Sequence, residues 1–119
     1  DGFMIFPMVL RPKSKGRIYL RNSNPLSSPM IDPQYFTDEE DLDVLVQGVK
    51  YSKLLLETSP FKKLGTRLYK APIPGCSHIE YDTDEYWKCQ ARHLTFTIYH
   101  QSGTCKMGSA NDPTAVVDT

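Results

Sequence analysis

The chain has 119 residues and balances 14 Lys and Arg against 14 Asp and Glu, so its net charge is zero. A chain without net charge has no field to draw in a phosphate backbone or an anionic lipid surface, so neither nucleic acid nor a membrane is an expected partner. Its composition, 39% hydrophobic with nine prolines, suits one folded domain over residues 1–119 with many turns and short strands rather than a helical bundle.

Short strands are expected in the first third of the chain. Residues 4–10 are rich in strand formers, and residues 16–21 alternate basic and apolar side chains as a half-buried strand does. Residues 12–16 supply the turn between them. Three prolines within residues 22–33 forbid a helix and leave room for an extended piece around Met30–Asp32, at a sheet edge or in a pocket wall.

A helix is predicted to begin near Thr37. Thr37 and Glu40 have the spacing of a capping box, and Asp38 adds negative charge where a helix start favours it. Apolar residues recur at helical spacing after this start until Ser59 and Pro60 end the run. They form one face, which we expect to be buried: Leu42, Leu45, Val46, Val49 and Leu56.

The second half of the chain predicts one strand, one helix and another strand. Residues 67–70 have a strand-like composition and run into a proline-bounded loop. Asp82 and Thr83 offer a helix cap, with Glu85 placed to complete a capping box. Residues 96–99 then alternate as a strand does. The helix carries a narrow apolar stripe: Trp87, Ala91 and Leu94.

Two cysteines and two histidines form a group with several possible uses. Cys76, His78, Cys89 and His93 are residue types that zinc prefers, but one residue between Cys76 and His78 is tighter than the usual spacing of about two to four, so no metal site is expected. A disulfide between Cys76 and Cys89 would favour a secreted location, because such bonds persist in oxidising compartments. Two free thiols and a small zinc-stabilised module are the alternatives. Cys105 is expected to be buried as a small apolar residue.

His100 is the candidate catalytic residue. It stands where the strand at residues 96–99 enters a glycine-containing turn, a place where rigid backbone can present a side chain at a cleft. Imidazole titrates near neutral pH and commonly removes hydroxyl protons. The glycines at 103 and 108 fit neither G-x-G-x-x-G nor the P-loop pattern, so we expect them to serve the backbone alone.

Several segments together resemble a known family. Residues 100–108, with the sequence His-Gln-Ser-Gly-Thr-Cys-Lys-Met-Gly, are similar to the C-terminal active-site stretch of the glucose-methanol-choline oxidoreductases, which bind FAD and oxidise alcohols. The other segments resemble the end of that stretch, two strand motifs, and features of the insect glucose-dehydrogenase-like branch: residues 112–118, 14–25, 29–36, 74–76 and 86–89.

The resemblance implies an α+β fold in which an antiparallel sheet is backed by helices, forming the substrate domain of a larger enzyme. Both ends of the chain are expected to be cut, and the FAD-binding domain is missing, since no G-x-G-x-x-G segment is present. The fragment alone is therefore expected to hold FAD poorly, to be inactive, and to self-associate through apolar surface that the whole enzyme buries.

The resemblance also implies residue roles. His100 matches the first histidine of the family's active-site pair, as base or hydrogen-bond donor while hydride passes from an alcohol or sugar to the flavin; the second member lies beyond this chain. Phe96 and Ile98 stand where fungal glucose oxidases of the family have sugar-contacting polar residues, so they are the candidate substrate-binding residues, and a more apolar alcohol fits as well as glucose. By branch analogy, a quinone or dye is a better acceptor than oxygen. A catalytically silent module that binds a ligand or partner is the alternative.

Overall fold

The computed structural model describes residues 2–100 and 104–118. Its strands and helices match the α+β class expected from the sequence. None of the described helices is long and apolar enough to cross a membrane. The elements in chain order are β1 (Arg17–Tyr19), β2 (Met30–Asp32), α1 (Glu39–Leu56), α2 (Ser59–Lys63), a 3-10 turn (Pro74–Cys76) and α3 (Asp84–Leu94).

The sheet is a single antiparallel pair. β1 and β2 face each other with Ile18 opposite Ile31, so both strands predicted around these residues are confirmed. The two segments meet so tightly at Gly16 that a Cβ there would come within 2.3 Å of the carbonyl oxygen of Asp32. The closest backbone approaches join the strands to each other and the helices to one another. Among these elements, the helices therefore do not pack against the sheet, although this packing was expected from the sequence.

Three predicted strands are wrong. Residues 4–10, 67–70 and 96–99 contain no strand in the structure. Each has the composition of a strand, but a strand also needs a neighbour to receive its backbone hydrogen bonds. Within the ranges that the structure describes, the regular pairing is that of β1 with β2, supplemented by an isolated bridge between Met107 and Val117.

The start of α1 lies one residue later than the sequence suggested. Asp38, not Thr37, is the N-cap, and its carboxylate accepts a hydrogen bond from the Glu40 amide at 3.0 Å. Leu42 and Val46 are buried, as predicted, and the other members of the apolar face are half-buried. α1 ends at Leu56, and the Ser59-Pro60 step opens the short helix α2, because proline is well tolerated in the first turn of a helix.

α3 begins at the predicted cap but buries a different residue. The Thr83 hydroxyl accepts from the Tyr86 amide at 3.2 Å, so the third helical position is Tyr86 and the box proposed with Glu85 does not form. Tyr86 is fully buried, whereas Leu94 from the expected stripe is 53% exposed. The burial of this tyrosine is possible because its hydroxyl oxygen accepts a hydrogen bond from the Ile73 amide at 3.2 Å.

α1 and α3 pack against each other in opposite directions. Ion pairs join the two helices along this contact. As the residue number of the partner on α1 rises, that of its partner on α3 or in the turn before α3 falls. The pairs are Glu39 with Arg92, Asp43 with Lys88, Lys50 with Asp84 and Lys53 with Asp82. They are partly exposed, so each stabilises the contact only weakly, and their order is consistent with the antiparallel register of the two helices.

Candidate functional site

The segment that carries His100 leaves α3 through Thr95. The Thr95 hydroxyl donates to the Ala91 carbonyl at 2.6 Å, which holds the first residue after the helix against its last turn. His100 itself is exposed. Its neighbours at 101–103 lie outside the described residues, and so does that part of the stretch that resembles the family's active site. The structure thus places His100 six residues beyond the end of a well-anchored helix.

Phe96 and Ile98 lie on the same side of this extended segment. Thr95 and Thr97 are half-buried, while Phe96 is 61% and Ile98 38% exposed, so the side chains alternate as they do in an extended backbone. Phe96 contacts Phe6 edge to face, with ring centroids 5.6 Å apart. The two candidate substrate-binding residues are therefore brought together on an open apolar face.

The chain turns sharply just before His100. Tyr99 has a φ of 63°, in the left-handed region that non-glycine residues seldom adopt. Its amide donates to the Thr97 hydroxyl at 3.1 Å, a local hydrogen bond that stabilises the turn. This turn ends the alternation of the preceding segment and sets His100 at its exit.

Residues 106–117 form a compact loop closed on itself. The Lys106 ammonium donates to the Asp112 carboxylate at 2.7 Å and to the Thr114 hydroxyl at 2.6 Å, and Met107 bridges to Val117. The hydrogen bond from Lys106, helped by those from Thr114, lowers the pKa of Asp112. The loop therefore presents a fixed carboxylate-ammonium pair a few residues after His100.

Cys105 differs from its prediction. It is an exposed free thiol rather than a buried apolar residue. The physical reason is its position in a turn at residues 104–105, where no core packs against it.

Cys76 and Cys89 are joined by a disulfide that ties the 3-10 turn to α3. Both sulfurs are bonded to each other, so neither is a free thiolate, and the zinc-stabilised module is excluded while this bond is intact. The His93 ring lies beside the bond, with Nδ1 3.7 Å from the Cys76 sulfur and 3.8 Å from the Cys89 sulfur. His78 is exposed and does not join this group.

A buried carboxylate that the sequence reasoning missed anchors the first strand motif to α1. Asp41 is 3% exposed and accepts hydrogen bonds from the Lys13 amide at 2.8 Å and the Ser14 amide at 2.9 Å. Burial alone would raise the pKa of Asp41, but the hydrogen bonds from Ser14 and Lys13 outweigh it and the pKa is lowered. Lys13 also pairs with Glu40, which raises the pKa of that lysine. The residues are 27 or 28 apart, so no local pattern could have revealed the contact.

Comparison with known proteins places the chain in a family. Residues 12–119 match a family model described as GMC oxidoreductase. The chain is 47% identical over 117 residues to glucose dehydrogenase (FAD, quinone) of Drosophila pseudoobscura pseudoobscura, covering 98% of this chain and 19% of that protein. It is 34% identical to the alcohol dehydrogenase (acceptor) of Pseudomonas putida, covering 98% of this chain and 20% of that protein, and 37% identical to human mitochondrial choline dehydrogenase, covering 99% and 19%.

The chain therefore belongs to the glucose-methanol-choline oxidoreductases, and the match is to their C-terminal domain. It spans about a fifth of the length of these relatives. Its similarity to the insect glucose dehydrogenase agrees with the branch that residues 74–76 and 86–89 resemble.

Proposed function

We propose that this chain is part of the substrate domain of an FAD-dependent enzyme that oxidises the CH–OH group of an alcohol or sugar. The observation that carries the proposal is the family match over residues 12–119, together with 47% identity to a protein named as an FAD- and quinone-linked glucose dehydrogenase. The proposal concerns the full-length protein, since most of the relatives' length lies outside this chain.

The residues of this chain do not by themselves fit FAD. Its described strands are antiparallel and no helix lies between them, whereas a dinucleotide is held by parallel strands joined through a helix and a glycine-rich turn. The sequence has no G-x-G-x-x-G segment. The cofactor, which would accept the hydride, is thus proposed to be held by the rest of the full-length protein.

His100 is proposed to take the proton from the substrate hydroxyl, or to donate a hydrogen bond to the oxygen as its negative charge develops. Its exposure leaves the imidazole accessible to a substrate bound between this chain and the remainder of the protein. A positioned general base of this kind contributes about 10²–10⁴-fold to a rate.

Phe96 and Ile98 are proposed to contact the substrate. Both side chains are apolar and lie on the same open side of the segment that leads to His100. A site without hydrogen-bond partners gains no binding free energy from the many hydroxyl groups of a sugar. We therefore expect an alcohol with an apolar body to be oxidised at least as well as glucose, and a quinone or dye to serve as electron acceptor.

The test is anaerobic flavin reduction by the full-length protein across a panel of alcohols and sugars. His100→Ala should slow flavin bleaching by about 10²–10⁴-fold. His78→Ala is the matched control, because His78 is also an exposed histidine but lies before α3, and it should bleach at the wild-type rate.

The other results are equally informative. Equal bleaching in wild type and His100→Ala would remove the role given to His100 while leaving the reaction class in place. A full-length protein that binds no flavin would defeat the enzyme proposal altogether, and the catalytically silent binding module would take its place.

A further inference from the structure

We propose that reduction of the Cys76–Cys89 disulfide converts this corner of the molecule into a binding site for one zinc(II) ion, with Cys76, Cys89 and His93 as protein ligands. In the described part of the chain, these residues are the one group whose histidine, cysteine or carboxylate ligand atoms lie close enough to share a metal, all within 4.8 Å of one another. The inference does not rest on the proposed oxidoreductase activity.

The distances already approach those of a zinc site. Tetrahedral zinc bonds sulfur at about 2.3 Å and nitrogen at about 2.0 Å, which puts sulfur and nitrogen about 3.5 Å apart and two sulfurs about 3.8 Å apart. The Nδ1 atom of His93 is 3.7 and 3.8 Å from the two sulfurs. Only the two sulfurs must separate, and reduction of their bond allows this.

The local backbone, as well as the disulfide, brings the three ligands together. Cys89 and His93 are four residues apart on α3, so they share one face of the helix. The 3-10 turn brings Cys76 to that face, and Gly75 makes the approach possible, because a Cβ there would lie 2.7 Å from Nε2 of His93. Nδ1 also lies 2.9 Å from the Cys89 carbonyl oxygen, to which it can only donate, so this hydrogen bond must break before Nδ1 binds the ion.

The chemistry of reduction fits the burial of the two sulfurs. Cys76 is fully buried and Cys89 is partly exposed, so a thiolate of an external dithiol would attack the Cys89 sulfur and release Cys76 as thiolate. The second thiol of the reductant then closes its own disulfide and releases Cys89. The products are two protein thiols and one oxidised dithiol.

Zinc binding then exchanges two thiol protons for the metal. Two thiolates and a neutral imidazole bind Zn²⁺ to give a site with no net charge, which lowers the cost of burying the Cys76 thiolate. Thiolate and imidazole together favour zinc over magnesium or calcium, and a water molecule can complete the tetrahedron, as in catalytic sites with Cys₂His ligands. Exchange with an external disulfide re-forms the Cys76–Cys89 bond and reduces that disulfide to two thiols, which removes two ligands and releases the ion.

The experiment is a cobalt(II) titration of the full-length protein, with cobalt as the optical probe for zinc. The protein is titrated as purified and again after reduction by a phosphine and removal of the reductant. The thiolate-to-cobalt absorption that the variant C76S/C89S lacks should appear only after reduction, rise to one ion per protein, and disappear when zinc is added. Because other cysteines of the full-length protein can also bind cobalt, the double variant C76S/C89S defines the signal that belongs to this site.

The histidine variants test the geometry. His93→Gln should weaken binding by at least about 10–100-fold, the loss typical when even an outer partner of a ligand is removed. His93→Cys supplies a thiolate from the same position and should restore binding. His78→Gln is the matched control and should bind as the wild type does, because His78 is exposed and outside the ligand group.

Three results would overturn the proposal: no reduction-dependent absorption, an unchanged signal in C76S/C89S, or equal affinity in wild type and His93→Gln. A failure to bind zinc could not be attributed to loosening of the loop on reduction, because Cys- and His-rich segments bind zinc and fold around it. Failure of His93→Cys to restore binding would also count against His93 as a ligand.

Discussion

The buried apolar side chains of the described chain all lie between Phe36 and Tyr86, whereas residues 2–10 and 95–100 keep most of theirs exposed. In the middle region, α1, α3 and the 3-10 turn share a core, a disulfide and ion pairs. In the flanking regions, apolar residues such as Met4 and Tyr99 are 79% and 82% exposed.

The two regions therefore differ in what stabilises their structure. The middle region is stabilised by contacts within this chain. The flanking segments have the composition of buried strands but pair with no strand among the described residues. Because the relatives are about five times longer, we expect the rest of the full-length protein to cover them. His100 belongs to a flanking segment, so we expect the geometry of its proposed role to depend on the rest of the full-length protein.

The largest effect expected from this contrast is on local stability. Tyr86→Ala should destabilise α1 and α3 by about 3–5 kcal/mol, the cost of removing a fully buried aromatic ring. Phe96→Ala, the matched change in a flanking segment, should cost about 1 kcal/mol or less, since that ring is 61% exposed. Hydrogen exchange of the α1 and α3 amides gives both values. Equal losses in the two variants would show that the middle region is not a separate stable unit.

A smaller effect concerns the junction between the two regions. Asp41→Asn should destabilise the contact of residues 13–14 with α1 by about 1.5–3 kcal/mol, because it removes the charge from a buried hydrogen-bonded carboxylate. The folded-state pKa of Asp41 is lowered, so its contribution is present above the ordinary value of about 4 and is lost as the pH falls through the folded pKa.

Hydrogen exchange of α1 at about pH 7 and at about pH 2, below the ordinary carboxyl range and corrected for intrinsic exchange, measures this loss. Wild type and Asp41→Asn should converge at acid pH. Glu40→Gln is the control, because its ion pair with Lys13 is exposed and should contribute little to stability. A gap between wild type and Asp41→Asn that widens on acidification would contradict the assignment.

The smallest expected effect is the contribution that each exposed apolar residue makes to self-association. The isolated chain exposes Leu10, Leu20, Leu26 and Tyr99 by 80% or more, so it should form oligomers as its concentration rises. Sedimentation should show an average mass above that of a 13.6 kDa monomer. A monomer at all concentrations would show that the exposed apolar residues do not form a sticky surface.

Local signals in the sequence predicted the helices well. The caps at residues 37–40 and 82–85 located both long helices, and the apolar spacing after the first cap identified Leu42 and Val46 as core residues. The burial of Tyr86 was missed, because its partner at Ile73 is 13 residues away and no periodic pattern reveals such a bond.

Strands were predicted less well for a physical reason. Met30–Asp32 was found because three prolines left no other place for extended backbone and because β1 pairs with it nearby in sequence. Residues 4–10 and 96–99 have strand-forming side chains without such a neighbour among the described residues. For the site, residue chemistry alone left His100 one of three histidines, and the resemblance of residues 100–108 singled it out.

At Gly48, the residue that favours the helix differs from the residue that tertiary packing allows. It lies within α1, where alanine would favour the helix by about 1 kcal/mol, yet a Cβ there would come within 2.9 Å of the Pro7 Cβ. The helix is thus locally frustrated at the point where the N-terminal segment crosses it. An alanine at this position would rigidify the helix. It would also displace residues 2–10 from α1 and make them more susceptible to proteolytic cleavage.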